Sequence, residues 1–173
     1  EKGYADYRVS VTAKGGHSSQ PPVHTAIGEL AEVIRDIERH QFNGKMPDFV
    51  YALFTKIGKN VSYPARIVTC NLWLLKPLVT FVMKKIPPAA SLIRTTTGVT
   101  MAEGSPAANV LPQKASITIN FRMMPGVTIA DVEDHIRKSV RNKNIEIEFL
   151  KGKEASKVSP TDSRSFRILE ELC

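Results

Sequence analysis

Lys114-Ala115-Ser116-Ile117-Thr118-Ile119-Asn120-Phe121-Arg122-Met123-Met124 alternates apolar and polar residues, with Ala115, Ile117, Ile119, Phe121 and Met123 on one side and Ser116, Thr118, Asn120 and Arg122 on the other. A period of two over eleven residues marks a strand with one face buried and one face polar. Pro125-Gly126 ends it in a turn. Thr128 then reads as a helix N-cap with Asp131 three residues on, and Ile129, Val132, Ile136 and Val140 form a buried helical stripe. Asn142-Lys143-Asn144 stops that helix, and Ile145, Ile147 and Phe149 alternate with Glu146 and Glu148 as a further strand.

Upstream, Tyr4 to Ala13 alternates in the same way, with Ala5, Tyr7, Val9, Val11 and Ala13 on one side. Thr25 to His40 carries Ile27, Leu30, Ala31, Ile34 and Ile37 at helical spacing, and Asn43-Gly44 closes this amphipathic helix. A further strand falls within Thr95 to Ala102. The order β-α-β-β-α-β predicts an α+β fold, the ferredoxin-like antiparallel sheet with two helices on one face.

An apolar insertion from about Lys45 to Arg94 separates the first helix from the second strand. Its run Trp73, Leu74, Leu75, Leu78, Val79, Phe81, Val82 and Met83 is cut by Lys76, Pro77, Lys84 and Lys85, too short a stretch for a membrane span. It reads as a short amphipathic helix packed on the domain or a partner; the sharper alternative is an apolar wall, with Trp73 and Phe81, over a substrate channel. A Lys- and Ser-rich link from Lys151 to Ser159 leads to a final helix, Ser159 to Leu172.

The 173 residues suit one domain with an insertion, and 42% hydrophobic with 24% charged residues is ordinary for a globular chain. The net charge of +7 looks scattered along the sequence and is not interleaved with aromatics, which favours a solvated basic surface over a nucleic-acid partner. Cys70 and Cys173 form neither a metal-ligand spacing nor a disulfide framework and leave the compartment open. The start at Glu1, directly on a strand pattern, reads as that of a segment excised from a longer protein.

Gly15-Gly16-His17-Ser18-Ser19-Gln20-Pro21-Pro22 follows the first strand and sets one imidazole in a stiffened polar turn. Alone, such a histidine is an ordinary turn residue, Asn109 another, and Arg122 a solvated strand residue. Ser18 and Ser19 shape the turn, since no acid-histidine pattern would activate them as nucleophiles.

Three motifs in fixed order change that reading: Gly16-His17-Ser18-Ser19, then Gly104-Ser105-Pro106-Ala107-Ala108-Asn109-Val110-Leu111-Pro112, then Asn120-Phe121-Arg122 before Pro125-Gly126. Together they resemble the lid, or dimerisation, domain of the dinuclear zinc hydrolases of metallopeptidase family 20, which includes carboxypeptidase S, aminoacylases and succinyl-diaminopimelate desuccinylase. The insertion and Thr95-Thr96-Thr97-Gly98 look most like the carboxypeptidase S branch.

The resemblance implies a lid over residues 1–155 and, over 156–173, the start of the returning catalytic segment. It implies a homodimer through the lid, a peptide or N-acyl amino acid substrate, and two zinc ions held by a catalytic domain; no HxD motif or Glu-Glu pair in a suitable context occurs here, since Glu170-Glu171 falls in the final helix. His17 would stabilise an oxyanion in the partner subunit's active site, Asn109 would hydrogen-bond substrate nearby, and Arg122 would hold a substrate carboxylate. By itself the chain would bind no metal and be inactive. The rival expectations are a free-standing ferredoxin-like module binding RNA or a small ligand, and a purely structural dimerisation domain.

Overall fold

Gly3–Thr12 forms β1, whose Ala5, Tyr7, Val9 and Val11 are all buried. In the computed structural model, which describes residues 1–58, 61–142, 144–160 and 163–172, the chain continues through β2 (Gly16–His17), α1 (Ala26–Arg39), α2 (Asp48–Ile57), α3 (Tyr63–Cys70), α4 (Leu72–Lys85) and α5 (Pro87–Ile93). It goes on as β3 (Thr96–Glu103), β4 (Val110–Leu111), β5 (Lys114–Met123), α6 (Ile129–Ser139), β6 (Ile145–Lys153) and α7 (Arg164–Leu172). The expectations involving Lys143, Thr161, Asp162 and Cys173 lie outside the described residues.

The main sheet has four strands in the order β3-β5-β1-β6, every neighbouring pair antiparallel. This is the predicted ferredoxin-like arrangement. β1 and β5 pair over their full length, from Gly3 opposite Met123 to Thr12 opposite Lys114, so the apolar sides of both strands face the same way. Leu30, Val33 and Ile37 of α1 and Val132 and Ile136 of α6 close over that side in one core. Tyr7 meets Phe121 and Phe149 edge-on at centroid distances of 6.1 and 5.4 Å, and its hydroxyl donates to the Ile129 carbonyl at 2.9 Å. Burial, helped by Glu133 and Glu154, pushes that phenol up to about 12.

The helix ends follow local rules. Thr25 accepts from the Gly28 N–H at 3.1 Å, and Thr128 with Asp131 forms a complete capping box. The turn after β5 needs its glycine: Val127 N–H donates to the Met124 carbonyl at 3.0 Å, and Gly126 stands at φ 91° behind Pro125.

Several boundaries differ from the sequence reading. α1 ends at Arg39, before Asn43-Gly44, because the His40 N–H already closes the last turn on the Asp36 carbonyl. β6 runs on to Lys153, so the Lys-rich link starts later than Lys151; pairing of Lys151 and Lys153 with Asp6 and Tyr4 keeps the strand extended. The insertion is four helices, α2 to α5, where one short amphipathic helix was expected. Met46, Val50, Leu72, Met83 and Ile93 give them a small core of their own. Lys2 ties this unit to the start of β1, its ammonium donating to the Ser91 and Arg94 carbonyls at 2.6 and 3.0 Å at the end of α5.

Asp36, buried on α1, receives the Arg141 backbone N–H at 3.1 Å and its guanidinium at 2.9 Å, linking α1 to the segment before β6. Those hydrogen bonds, with the guanidinium's contribution the largest, hold the Asp36 carboxyl down at about 2. A carboxyl depressed below its ordinary value of about 3.9 stabilises the fold above that value and loses its contribution as pH falls toward the folded value. Asp36→Asn is therefore expected to be less stable than the parent at neutral pH. In urea titrations the gap should close between about pH 4 and pH 2; a constant gap across that range would exclude the charged pair as its cause.

Candidate functional site

His17 is held by a small second sheet. Gly16 pairs with Leu111 and His17 with Val110; beside them the Ser18 N–H donates to the Asn109 carbonyl at 3.1 Å and the Ala13 N–H to the Gln113 carbonyl at 2.9 Å. The turn predicted at Gly15-Gly16-His17 is thus a strand first, and the tight turn follows, where Gln20 N–H meets the His17 carbonyl at 3.1 Å. Sequence periodicity could not reveal β2 and β4, because two-residue strands have no period. Gly15 lets the two segments approach: a Cβ there would lie 2.5 Å from Gln113 Cγ and 2.9 Å from the Leu111 carbonyl oxygen.

The ring orientation follows from hydrogen bonds. Ser19 N–H donates to His17 Nδ1 at 3.2 Å, and the Ser19 hydroxyl lies 2.8 Å from the same nitrogen. A backbone N–H can only donate, so Nδ1 is the acceptor and the neutral ring carries its proton on Nε2. Nε2–H makes no hydrogen bond among the described residues. Asn109 is exposed beside it, its side-chain amide likewise unengaged among the described residues. Both residues line a shallow cleft of about 500 Å³ with Ser105, Pro106 and Pro112.

Arg122 lies elsewhere. It is eight residues along β5 from Lys114, at a rise of roughly 3.3 Å per residue, so about 25 Å of strand separates it from the His17 end. The structure brings His17 and Asn109 together on the small sheet and sets Arg122 at the far end of the main sheet. Its guanidinium stands over the Tyr4 ring at 5.8 Å and forms no ion pair among the described residues. It borders a cleft of about 570 Å³ with Phe49 and Leu92 from the insertion, Lys2, Met124 and Val158. Burial lowers the Lys2 ammonium from its ordinary value. Trp73 and Phe81 do not line this cleft but are exposed on α4. Lys2, Phe49 and Leu92 escaped the sequence reading because nothing in the chain order foretells that the insertion folds back beside Arg122.

The open face of the sheet is neutralised locally. Arg8 pairs with Glu148 at 3.2 Å and Lys151 with Asp6 at 3.6 Å. Among the described residues no three His, Cys, Asp or Glu side chains converge as metal ligands. His135 is stacked on Phe42 at 3.8 Å, its Nε2 lies 2.8 Å from the His40 carbonyl, and burial lowers its pKa.

Residues 1–148 match the family model described as the peptidase dimerisation domain. The chain belongs to the dimerisation domains of metallopeptidase family 20. A probable carboxypeptidase S-like protein of Dictyostelium discoideum is 37% identical over 98% of this chain and 33% of its own length. The N-fatty-acyl-amino acid synthase/hydrolase of Xenopus tropicalis is 32% identical over 98% of this chain and 34% of its own length. The chain thus spans about a third of the curated relatives it matches. Among solved structures, a di-peptidase of Saccharomyces cerevisiae shares the fold with a TM-score of 0.59 at 12% identity, over 98% of this chain and 40% of its own.

If Gly15 sets the approach of β2 to β4, Gly15→Val should displace the amide resonances of His17 to Gln20 and of Asn109 to Leu111. The thermal midpoint should move by less than about 4 °C, since the small ladder lies outside the main core. Unchanged resonances would show that the ladder does not need this glycine.

Proposed function

We propose that this chain is the lid and dimerisation domain of a zinc-dependent peptidase or amidohydrolase that cleaves the amide bond of a peptide or N-acyl amino acid. The observation that carries the reading is the division of polar groups between the small β2–β4 sheet and the far end of the main sheet. His17 and Asn109 offer an imidazole N–H and an amide in the first, and Arg122, over the Tyr4 ring and without an ion pair among the described residues, offers a guanidinium in a largely apolar cleft at the second.

His17 Nε2–H suits the oxyanion that grows on an attacked carbonyl. Arg122 suits a carboxylate, which its planar fork can grip bidentately. A substrate bearing a free carboxylate beside an apolar body matches the Arg122 cleft; the relative named for N-fatty-acyl amino acids supports an acyl chain as that body. The separation of roughly 25 Å means that one lid cannot present both groups to one small substrate. His17 and Asn109 therefore serve the partner subunit's active site, and Arg122 its own.

Dimerisation has a surface to match. β3 is an edge strand, Thr-Thr-Gly-Val-Thr-Met-Ala-Glu, with one charge in eight residues, whereas the other edge, β6, carries Glu146, Glu148, Lys151 and Lys153. An uncharged open edge invites pairing with another strand, and charges discourage it. The ends of the domain also suit insertion into a larger chain. Ser156 N–H donates to the Glu1 carbonyl at 3.1 Å, so residues 1–155 leave and return side by side, with 156–173 leading back toward the catalytic part. Among the described residues no cluster fits a zinc pair; on this reading zinc and the water it activates belong to that catalytic part, and the chain alone is inactive.

Mixed dimers test the assignment. In the full-length protein, His17→Ala and Arg122→Ala homodimers should each lose at least about a hundredfold in kcat/KM. Co-refolding the two variants should restore one good site per heterodimer, which pairs a native His17 from one chain with a native Arg122 from the other. No recovery in verified heterodimers would place both residues in one site and overturn the reading. Met101→Lys on exposed β3 should, in sedimentation velocity, shift the protein toward monomer while far-ultraviolet circular dichroism stays unchanged. A fully retained dimer would move the interface off this edge.

A further inference from the structure

The net charge of +7 is not scattered in space. Residues 49–94 contain seven Lys or Arg and no Asp or Glu, while the rest of the chain carries equal numbers of cationic and acidic side chains. The whole excess therefore sits on the helical insertion. The same unit turns its apolar residues outward. On α4, Leu74, Leu78, Phe81 and Val82 recur at spacings of three and four and, with the neighbouring Trp73, are all exposed, Trp73 at 71% and Phe81 at 60%. Its inward side is held by Leu72 and Met83. A helix packed only to serve its own domain would carry the opposite pattern. Tyr63, Ile67 and Val68 are likewise exposed on the adjoining α3, in which no residue is buried.

We propose that the α3–α4 face docks on an anionic phospholipid surface. Apolar and aromatic side chains on a helix flanked by cations are what a lipid interface selects: the rings enter the headgroup boundary and the cations meet the phosphates. Lys85 stands at the end of the stripe, its ammonium 5.7 Å from the Phe81 ring, and Arg66 is exposed on α3. The geometry favours lying on the bilayer over crossing it. No single helix among the described residues is long and apolar enough to span, and α3 and α4 meet at a bend of 109°. The 14 residues of α4 make about 21 Å of helix, short of a hydrocarbon core of about 30 Å. A second copy of the chain is a poorer occupant, because self-association would bring two acid-free cationic surfaces together.

Co-sedimentation of the full-length protein with vesicles tests this. Vesicles with about 30 mol % phosphatidylserine should bind at least about tenfold more protein than pure phosphatidylcholine. About 0.5 M NaCl should erase most of the difference. Trp73→Ser with Phe81→Ser should abolish binding to both vesicle types, and Arg66→Glu with Lys85→Glu should remove the preference for anionic lipid. Equal partition of parent and variants would overturn the proposal. So would a fall in sedimentation coefficient of Trp73→Ser/Phe81→Ser without lipid, which would make the face an interface between copies. A drop in the same variant's thermal midpoint by more than about 5 °C would likewise overturn it, as the mark of a face packed against the rest of the protein.

Discussion

The structure depends on β1 being hydrogen-bonded along both edges. β5 lines one side from Gly3 to Thr12 and β6 the other from Tyr4 to Val11, so one ten-residue strand sets the register of two neighbours separated from it by about a hundred residues or more. Register is binary in such a sheet, since a one-residue slip would turn Phe121 and Ile119 out and Asn120 and Arg122 into the core. The edge-on contacts of Tyr7 with Phe121 and Phe149 favour the observed choice at the centre of the sheet. Everything placed at the two ends inherits its position from this strand: His17 lies just past its C-terminal end, and Arg122 faces Tyr4 near its start.

The helical insertion is attached to this frame by few bonds. Its core has five buried side chains against sixteen in the main one. The Lys2 ammonium on the Ser91 and Arg94 carbonyls joins it to the start of β1, the Lys45 N–H on the Ile93 carbonyl at 3.0 Å ties its two ends to each other, and the buried Met124 N–H on Thr95 Oγ1 at 3.0 Å holds the chain just beyond it to the end of β5. Lys2, Ser91 and Met124 border the Arg122 cleft, so a shift of the insertion would change the shape of the wall that Phe49 and Leu92 supply. A small core with many exposed apolar residues belongs to the low-stability end of a domain, where moving parts are found.

Period-two and period-3.6 patterning carried most of the sheet and both of its helices, because Ile117, Ile119 and Phe121, like Leu30 and Ile37, repeat often enough to reveal a buried face. Three features had no such signal. β2 and β4 are defined by partner and not by pattern; the extension of β6 to Lys153 depends on pairing that overrides a polar composition; the insertion's four short helices present apolar residues to solvent, which defeats a rule that reads apolar stripes as buried. The charge segregation was present in the sequence but hidden in a total. Counting acids by segment, where the insertion has none from residue 49 to 94, reveals it. At the candidate site the residue types were legible from their motifs, but the distance between His17 and Arg122 was not, since it follows from the length of β5.

That distance constrains the chemistry more than either residue does. The strand from Lys114 to Arg122 alone spans about 25 Å, farther than an acyl amino acid's carboxylate lies from its scissile carbonyl. Under the proposed roles, a lid acting alone could offer a substrate either an oxyanion donor or a carboxylate clamp, and two lids joined edge to edge would offer both. On this reading dimerisation is a requirement of the reaction geometry, and the sparsely charged β3 edge and the His17 ring held by Ser19 are two parts of one device.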